Sequence, residues 1–339
     1  MAKREAILWT ADDRGIVTCA VCPRRCRVKP GDRGFCEARY NEDGTFYSVI
    51  YGLCSSVAVD PIEKKPVFHF RPGSMVFSVG TVGCNMRCKH CQNWQISRAR
   101  PALDGQGLAD IPPDRLVELA KQEGAEGVAW TYNEPTIWLE YVLDGARLAK
   151  DAGLYTVMVT NGYITPEALD ELGPVIDVWR VDIKGFSDET YRFLSGVPHF
   201  HPILEAAERA KHQHRMHVEV VTNVVPTVND DDAQLIAIAG WIRDELGRDT
   251  PWHVTRFVPY LELADLPATP VKTLERARRI GLEAGLDYVY VGNVPGHGGE
   301  NTYCPSCGEL VVQRVGYKLG RGGLAEGRCA ACGHEIPIA

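Results

Sequence analysis

Thr81-Val82-Gly83-Cys84-Asn85-Met86-Arg87-Cys88-Lys89-His90-Cys91-Gln92-Asn93 carries three cysteines at the spacing C-x3-C-x2-C. Three thiolates can hold three irons of a four-iron cluster, and no fourth cysteine lies close by in the chain. Bacterial and plant-type ferredoxin spacings both differ from this one. A cluster held by three cysteines leaves one iron open to a substrate, which points to chemistry more than to electron storage. Just upstream, Met75-Val76-Phe77-Ser78-Val79 is a short apolar run closed by Gly80. It reads as a buried strand. The cysteines then fall on the loop at its C-terminal end, where barrel enzymes carry their active sites. The competing reading is a structural zinc site, which wants a fourth ligand that His90 could supply.

Outward from this stretch, strand-like runs alternate with helical patterns. The strands are expected at Met75–Val79, Gly127–Thr131, Tyr155–Val159, Val178–Ile183, Val218–Val225 and Val254–Val258, with a seventh at Tyr288–Val291. Helical patterns fall near 113–123, 137–150, 166–172, 187–194, 202–214, 231–246 and 270–284. Pro113-Asp114 and Thr165-Pro166 are helix-opening pairs. Continuous apolar strands imply a sheet covered on both faces. The expected fold class is α/β: a partial TIM-like (β/α)6 parallel barrel with small cysteine-rich metal-binding modules at both ends. The boundaries divide the chain into 1–70, a cysteine-rich segment with a hairpin; 71–295, the barrel; and 296–339, a zinc-ribbon or rubredoxin-like module.

Polar residues collect where the strands end. They are Thr131-Tyr132-Asn133-Glu134-Pro135, Thr160-Asn161-Gly162, Asp182-Ile183-Lys184, Thr222-Asn223 and Thr255-Arg256. One such residue could be a structural ion pair. Charged or amide groups ending most of the strands imply a polar ligand at the mouth.

The cysteine spacing after a first strand resembles the signature of the radical S-adenosylmethionine (SAM) superfamily. That resemblance implies that the SAM amine and carboxylate chelate the open iron of a 4Fe–4S cluster on Cys84, Cys88 and Cys91. Reductive cleavage then yields a 5′-deoxyadenosyl radical that takes hydrogen from a substrate. His90 stands where the family has an aromatic residue near the adenine. Asn133-Glu134-Pro135 is similar to the family's GGEP-like motif, with Tyr132 and Asn133 in place of the glycines. It implies that Glu134 accepts from the SAM ammonium. Asn133, Asn161 and Asn223 would then bond the ribose or carboxylate, and Lys184 or Arg256 would neutralise the carboxylate. Thr160-Asn161-Gly162 and Asp182-Ile183-Lys184 resemble stretches of glycyl-radical activating enzymes, which adds Thr160 and Asp182 to the expected contacts. Some of those enzymes bind a monovalent cation with an Asp just before the Thr; this chain has Val159 there.

A narrower resemblance spans nearly the whole chain. The string from Cys19 through Asp60-Pro61-Ile62-Glu63-Lys64-Lys65-Pro66, the Cys91-Gln92-Asn93-Trp94 end of the motif and the Asn301-Thr302-Tyr303-Cys304-Pro305 tail look like the AmmeMemoRadiSam system radical SAM enzyme, a relative of pyruvate formate-lyase activating enzymes. This implies Memo-like and AMMECR1-like proteins as partners, beside an electron donor such as a flavodoxin or ferredoxin. Two alternatives within the reading stay open: installing a glycyl radical on a partner protein, and direct hydrogen abstraction from another substrate. A non-catalytic iron–sulfur electron carrier is the competing function.

Twelve cysteines in 339 residues are many. Besides Cys84, Cys88 and Cys91 they form Cys19-Cys22-Cys26-Cys36 and Cys304-Cys307-Cys329-Cys332, leaving Cys54 as a small buried residue. Clustered CxxC spacing, with no signal-peptide h-region in Met1–Leu8, argues for metal in a reducing, cytoplasmic compartment. The first group holds either structural zinc or an auxiliary iron–sulfur cluster, with the CxxC-Pro knuckle favouring zinc. The tail group holds zinc, or iron if redox-active. No apolar run reaches membrane-spanning length. A net charge of −7 disfavours general nucleic-acid binding. Residues 45–51 and 56–59 read as a hairpin, and 60–70 as either a solvated connection or a flap. His212, His214 and His217 read as the polar end of a helix, and Gly296–Glu300 as a hinge.

Overall fold

Each apolar run becomes a strand in the computed structural model, which describes residues 3–103, 106–320 and 322–339. Met1 and Ala2, the start of the stretch read for a signal peptide, lie outside them. The strands are β1 Met75–Gly80, β2 Gly127–Trp130, β3 Tyr155–Thr160, β4 Val178–Asp182, β5 His217–Val224, β6 Trp252–Arg256 and β7 Val289–Gly292. The helices are α1 Pro113–Gln122, α2 Leu139–Asp151, α3 Pro166–Leu172, α4 Asp188–Ser195, α5 His201–His212, α6 Asp232–Trp241 and α7 Val271–Glu283. The caps explain several starts: the Thr165, Ser187 and Asp231 side chains accept from the backbone N–H of Ala168, Thr190 and Gln234. The stretch expected to be helical to 246 ends its regular part at Trp241, and Ile242–Leu246 widens to a π turn. Among the described residues no helix is long and apolar enough to cross a membrane.

The chain forms two units. The first holds the residues up to Asp60, Met75–Trp179 and His201–Met216. In it β1, β2 and β3 are parallel neighbours, with Gly127 opposite both Val76 and Tyr155. Val128, Ala129 and Trp130 are fully buried, as both-face coverage requires. The second unit holds Pro61–Ser74, Arg180–Phe200 and His217–Ala339. There β5, β6 and β7 are parallel, with Trp252 opposite Val220 and Val289. This is an α/β fold with parallel strands.

Two local expectations are corrected. Thr45–Ser48 pairs antiparallel with Arg39–Glu42, not with 56–59, because Asp43-Gly44 supplies the turn with positive φ at both residues. Ser56–Pro61 instead lies beside β1. The 60–70 stretch is no solvated connection: Glu63, Lys65 and His69 are buried, and Glu63 accepts from the Gly73 N–H at 2.8 Å.

The cysteine-rich N-terminal segment is fastened to the first unit by a buried ion pair. Both Arg39 Nη atoms donate to the Glu140 carboxylate of α2 at 2.9 Å, and Glu140 Oε1 also accepts from Ile7 N–H. Their side chains are only 2% and 4% exposed. Removing one partner of such a pair strands a buried charge, at about 3–5 kcal/mol. Glu140→Ala should therefore lower the melting temperature by several degrees in calorimetry. A shift near zero would mean that the segment is held by other contacts.

Candidate active site and metal centres

The loop after β1 is held from several sides. Asn133, at the end of β2, accepts from Thr81 N–H at 3.0 Å and donates to the Gly83 carbonyl at 2.9 Å. Its amide is thus used to fix the loop backbone. Gly83 has φ +91°, and a Cβ there would sit 2.3 Å from the Cys36 carbonyl oxygen. Only glycine satisfies both the backbone and the approach. Arg87 donates from Nη1 to the carbonyls of Cys84 and Met86, at 2.8 and 3.0 Å.

Cys84 is buried, and Cys88 and Cys91 are partly exposed. Burial drives the Cys84 thiol far above its ordinary range, and the nearby Cys88, Glu134 and Cys91 charges push it the same way. A metal binds the thiolate form, so cluster binding there would release the thiol proton. Thr81 Oγ1, buried on the same loop, has no hydrogen-bond partner among the described residues. Three cysteines on one loop, one buried and two partly exposed, fit an iron–sulfur cluster.

Below the loop, Glu134 is 2% exposed. Its Oε1 accepts from Thr160 Oγ1 at 2.6 Å and Thr136 N–H at 3.0 Å, and its Oε2 accepts from Asn161 N–H at 2.7 Å. Burial raises its pKa, and these donors oppose the rise. Asn161 continues the network: Nδ2 donates to Asn85 Oδ1 at 2.9 Å and stands 3.9 Å from Cys84 Sγ. Asn85 Nδ2 then donates to the Tyr163 carbonyl at 2.7 Å. Cys84, Asn133, Glu134, Thr160 and Asn161 are therefore one connected set in the first unit. His90 lies on the same loop, half-buried.

Tyr132, where the resembling motif has glycine, has φ +71°. Its hydroxyl donates to Asp60 at 2.9 Å, and its carbonyl accepts from Asn93 Nδ2 at 2.7 Å. Asn85, Asp60 and Tyr132 were not singled out as site residues from the sequence. Asn85 lies inside the cysteine motif, where a short amide between Cys84 and Met86 was the available signal. Nothing local marks Asp60 as the partner of Tyr132.

The remaining expected contacts belong to the second unit. Asp182 bonds Arg180 at 2.6 Å and Lys184 at 3.0 Å. Burial pushes its carboxyl up, but those two cations together hold it below the usual range. Asn223 Nδ2 donates to Thr255 Oγ1 at 3.2 Å, and Arg256 Nε donates to the Thr269 carbonyl at 3.0 Å.

The tail cysteines come together. Cys304 and Cys332 are 3.6 Å apart at sulfur, and Cys307 and Cys329 are 3.7 Å apart. A tetrahedral ion with metal–sulfur bonds of about 2.3 Å places its sulfurs about 3.8 Å apart. Leu310–Val312 pairs with Thr302–Tyr303, and Arg314–Val315 pairs with Lys318–Leu319 around Tyr317. The histidines are otherwise occupied. His214 bonds Asp170 at 2.9 Å, and His217 bonds Glu219 at 2.9 Å. Glu219 also takes His253 at 2.6 Å. Changing the exposed pair Cys307 and Cys332 to serine should remove one metal equivalent by elemental analysis. It should also open the tail to proteolysis, since Cys304 and Cys329 pack with Phe68, Tyr288 and Tyr290. An equally protected tail would show that the metal does not hold it.

Comparison with known proteins agrees with this geometry. The radical SAM superfamily model matches residues 78–238. The protein MJ0808 of Methanocaldococcus jannaschii, described as uncharacterized, is 44% identical over 99% of both chains. The pyruvate formate-lyase 1-activating enzyme of Escherichia coli is 29% identical over 48% of this chain and 66% of its own. A putative glycyl-radical enzyme activating enzyme of M. jannaschii, MJ1632, is 23% identical over 60% of this chain and 75% of its own. The matched region runs from within β1 into α6 and carries the connected set around Cys84 and Glu134. On this match and the likeness to relatives described as activating enzymes, the chain belongs to the radical SAM superfamily.

Proposed function

We propose that this protein binds SAM beside a 4Fe–4S cluster on Cys84, Cys88 and Cys91, with Glu134 receiving the SAM ammonium. The observation that carries this reading is the spare capacity of a buried carboxylate. Glu134 accepts three hydrogen bonds, and a carboxylate offers about four acceptor sites. The Glu134 charge also reaches Cys84. When bound, the cluster and SAM supply one-electron cleavage of the sulfonium and hydrogen abstraction from a substrate. The chain's own residues hold the parts in place. Asn133 and Arg87 fix the cysteine loop, while Thr160 and Asn161 aim the Glu134 carboxylate. An ammonium at Glu134 offsets the burial that raises its pKa. The electron comes from a small iron–sulfur or flavin protein, such as a ferredoxin or flavodoxin.

The relatives described as activating enzymes favour a second reading, in which the hydrogen is taken from a glycine of a partner protein. Turnover with candidate partners produced with deuterated glycine, reading deuterium in 5′-deoxyadenosine by mass and a radical on the partner by EPR, separates it from small-molecule chemistry.

Glu134→Gln tests the ammonium site. A charge-assisted hydrogen bond contributes roughly 1.5–3 kcal/mol, so SAM affinity should fall about ten- to a hundredfold while iron content is unchanged. In the unmodified protein, affinity should also fall as pH drops through the raised Glu134 pKa, because the protonated acid no longer attracts a cation. The variant should lack that pH dependence. An unchanged affinity with a lowered melting point would leave Glu134 a purely structural residue.

A further inference from the structure

The N-terminal cysteines converge on one cavity. Cys19, Cys22, Cys26 and Cys36 line it together with Phe35 and Arg39. Their spacing differs from that of the tail. Among the described residues, the tail four form the only His, Cys, Asp or Glu group of three or more whose ligand atoms all lie within 4.8 Å of one another. Zinc demands such contact, since all its sulfurs share one ion. An iron–sulfur cluster spreads its thiolates, because each binds a different iron. Among the described residues the loop cysteines Cys84, Cys88 and Cys91 form no such close group either.

A second observation points into the same cavity. Arg39 is 2% exposed, and its two Nη atoms are taken by Glu140. Its Nε–H is buried with no acceptor. A buried guanidinium N–H is costly to leave unpaired. A cluster sulfide or a cluster-bound thiolate would accept it. Arg24 stacks over the Phe35 ring at 3.6 Å, and its Nε donates to the Asn85 carbonyl at 2.6 Å, which ties this site to the loop of Cys84.

We propose that Cys19, Cys22, Cys26 and Cys36 ligate a second four-iron iron–sulfur cluster and not a mononuclear zinc. All four of its irons carry a protein thiolate, so it has no open iron and binds no SAM. The assignment does not depend on the SAM reading of the loop site.

The test uses the full chain, reconstituted anaerobically with iron and sulfide in the presence of zinc. The variant with Cys84, Cys88 and Cys91 all changed to serine should keep about four irons and about four labile sulfides. On reduction it should give a cluster EPR signal that SAM does not alter. Adding Cys22→Ser and Cys36→Ser should abolish both iron and signal. A loop variant with two zinc equivalents and no labile sulfide would overturn the proposal. Should the variants not fold, Mössbauer counting on the unmodified protein decides. About eight irons support the second cluster, and about four irons with two zincs overturn it.

Discussion

A carboxylate taken out of water must be matched by donors or lose its charge. Glu134 is that group here, and the architecture around the cysteine loop follows from matching it. Its donors come from the turn after β2 and from the end of β3. Satisfying it therefore fixes where two parallel strands stop. Asn161, once oriented by Glu134, fixes Asn85, and Asn85 fixes the backbone next to Cys84. Asn133 acts on the other flank of the same loop. A loop that must present three thiolates to one inorganic core is positioned by hydrogen bonds instead of by secondary structure of its own.

The cysteine-rich ends solve a different difficulty. Short segments dense in glycine and proline bury too little apolar surface to hold themselves together. The tail combines close sulfur pairs with an apolar cluster around Phe68 and Tyr290. The N-terminal segment relies on Arg39 and Glu140, a pair that is stabilising only because both members are present. Besides the Arg24 and Arg87 side chains it meets the loop backbone on backbone, the Cys36 carbonyl against Gly83, where there is no room for a side chain.

The strands, the helices and the tail cysteine cluster were legible because their signals are periodic or spaced within a few residues. Val128-Ala129-Trp130 could hardly be anything but a covered strand, and two CxxC knuckles could hardly be anything but a metal end. The motifs around Cys84 and Glu134 pointed to residues that the fold brings into one network through Asn161. What escaped was pairing at long range. Arg39 and Glu140 are 101 residues apart, and nothing local marks either one. The hold of the Asn133 amide on the loop backbone was not legible, since a polar strand end does not show what lies opposite it. The 60–70 stretch looked solvated for its charges, and Glu63 is buried because the Gly73 N–H meets it.

The left-handed backbone at Tyr132 bears on how such sites are found. A pattern that demands glycine before the acidic residue would pass over this chain, although the backbone bend is the same one glycine would provide. A bulky residue in that conformation costs roughly 1–2 kcal/mol. The Tyr132 hydroxyl on Asp60 offsets that strain. Search templates built on backbone angle, with allowance for a compensating partner tens of residues upstream, would recover members of the superfamily that a glycine pair does not identify. Asp60 and Tyr132 would then be expected to change together when such sequences are collected.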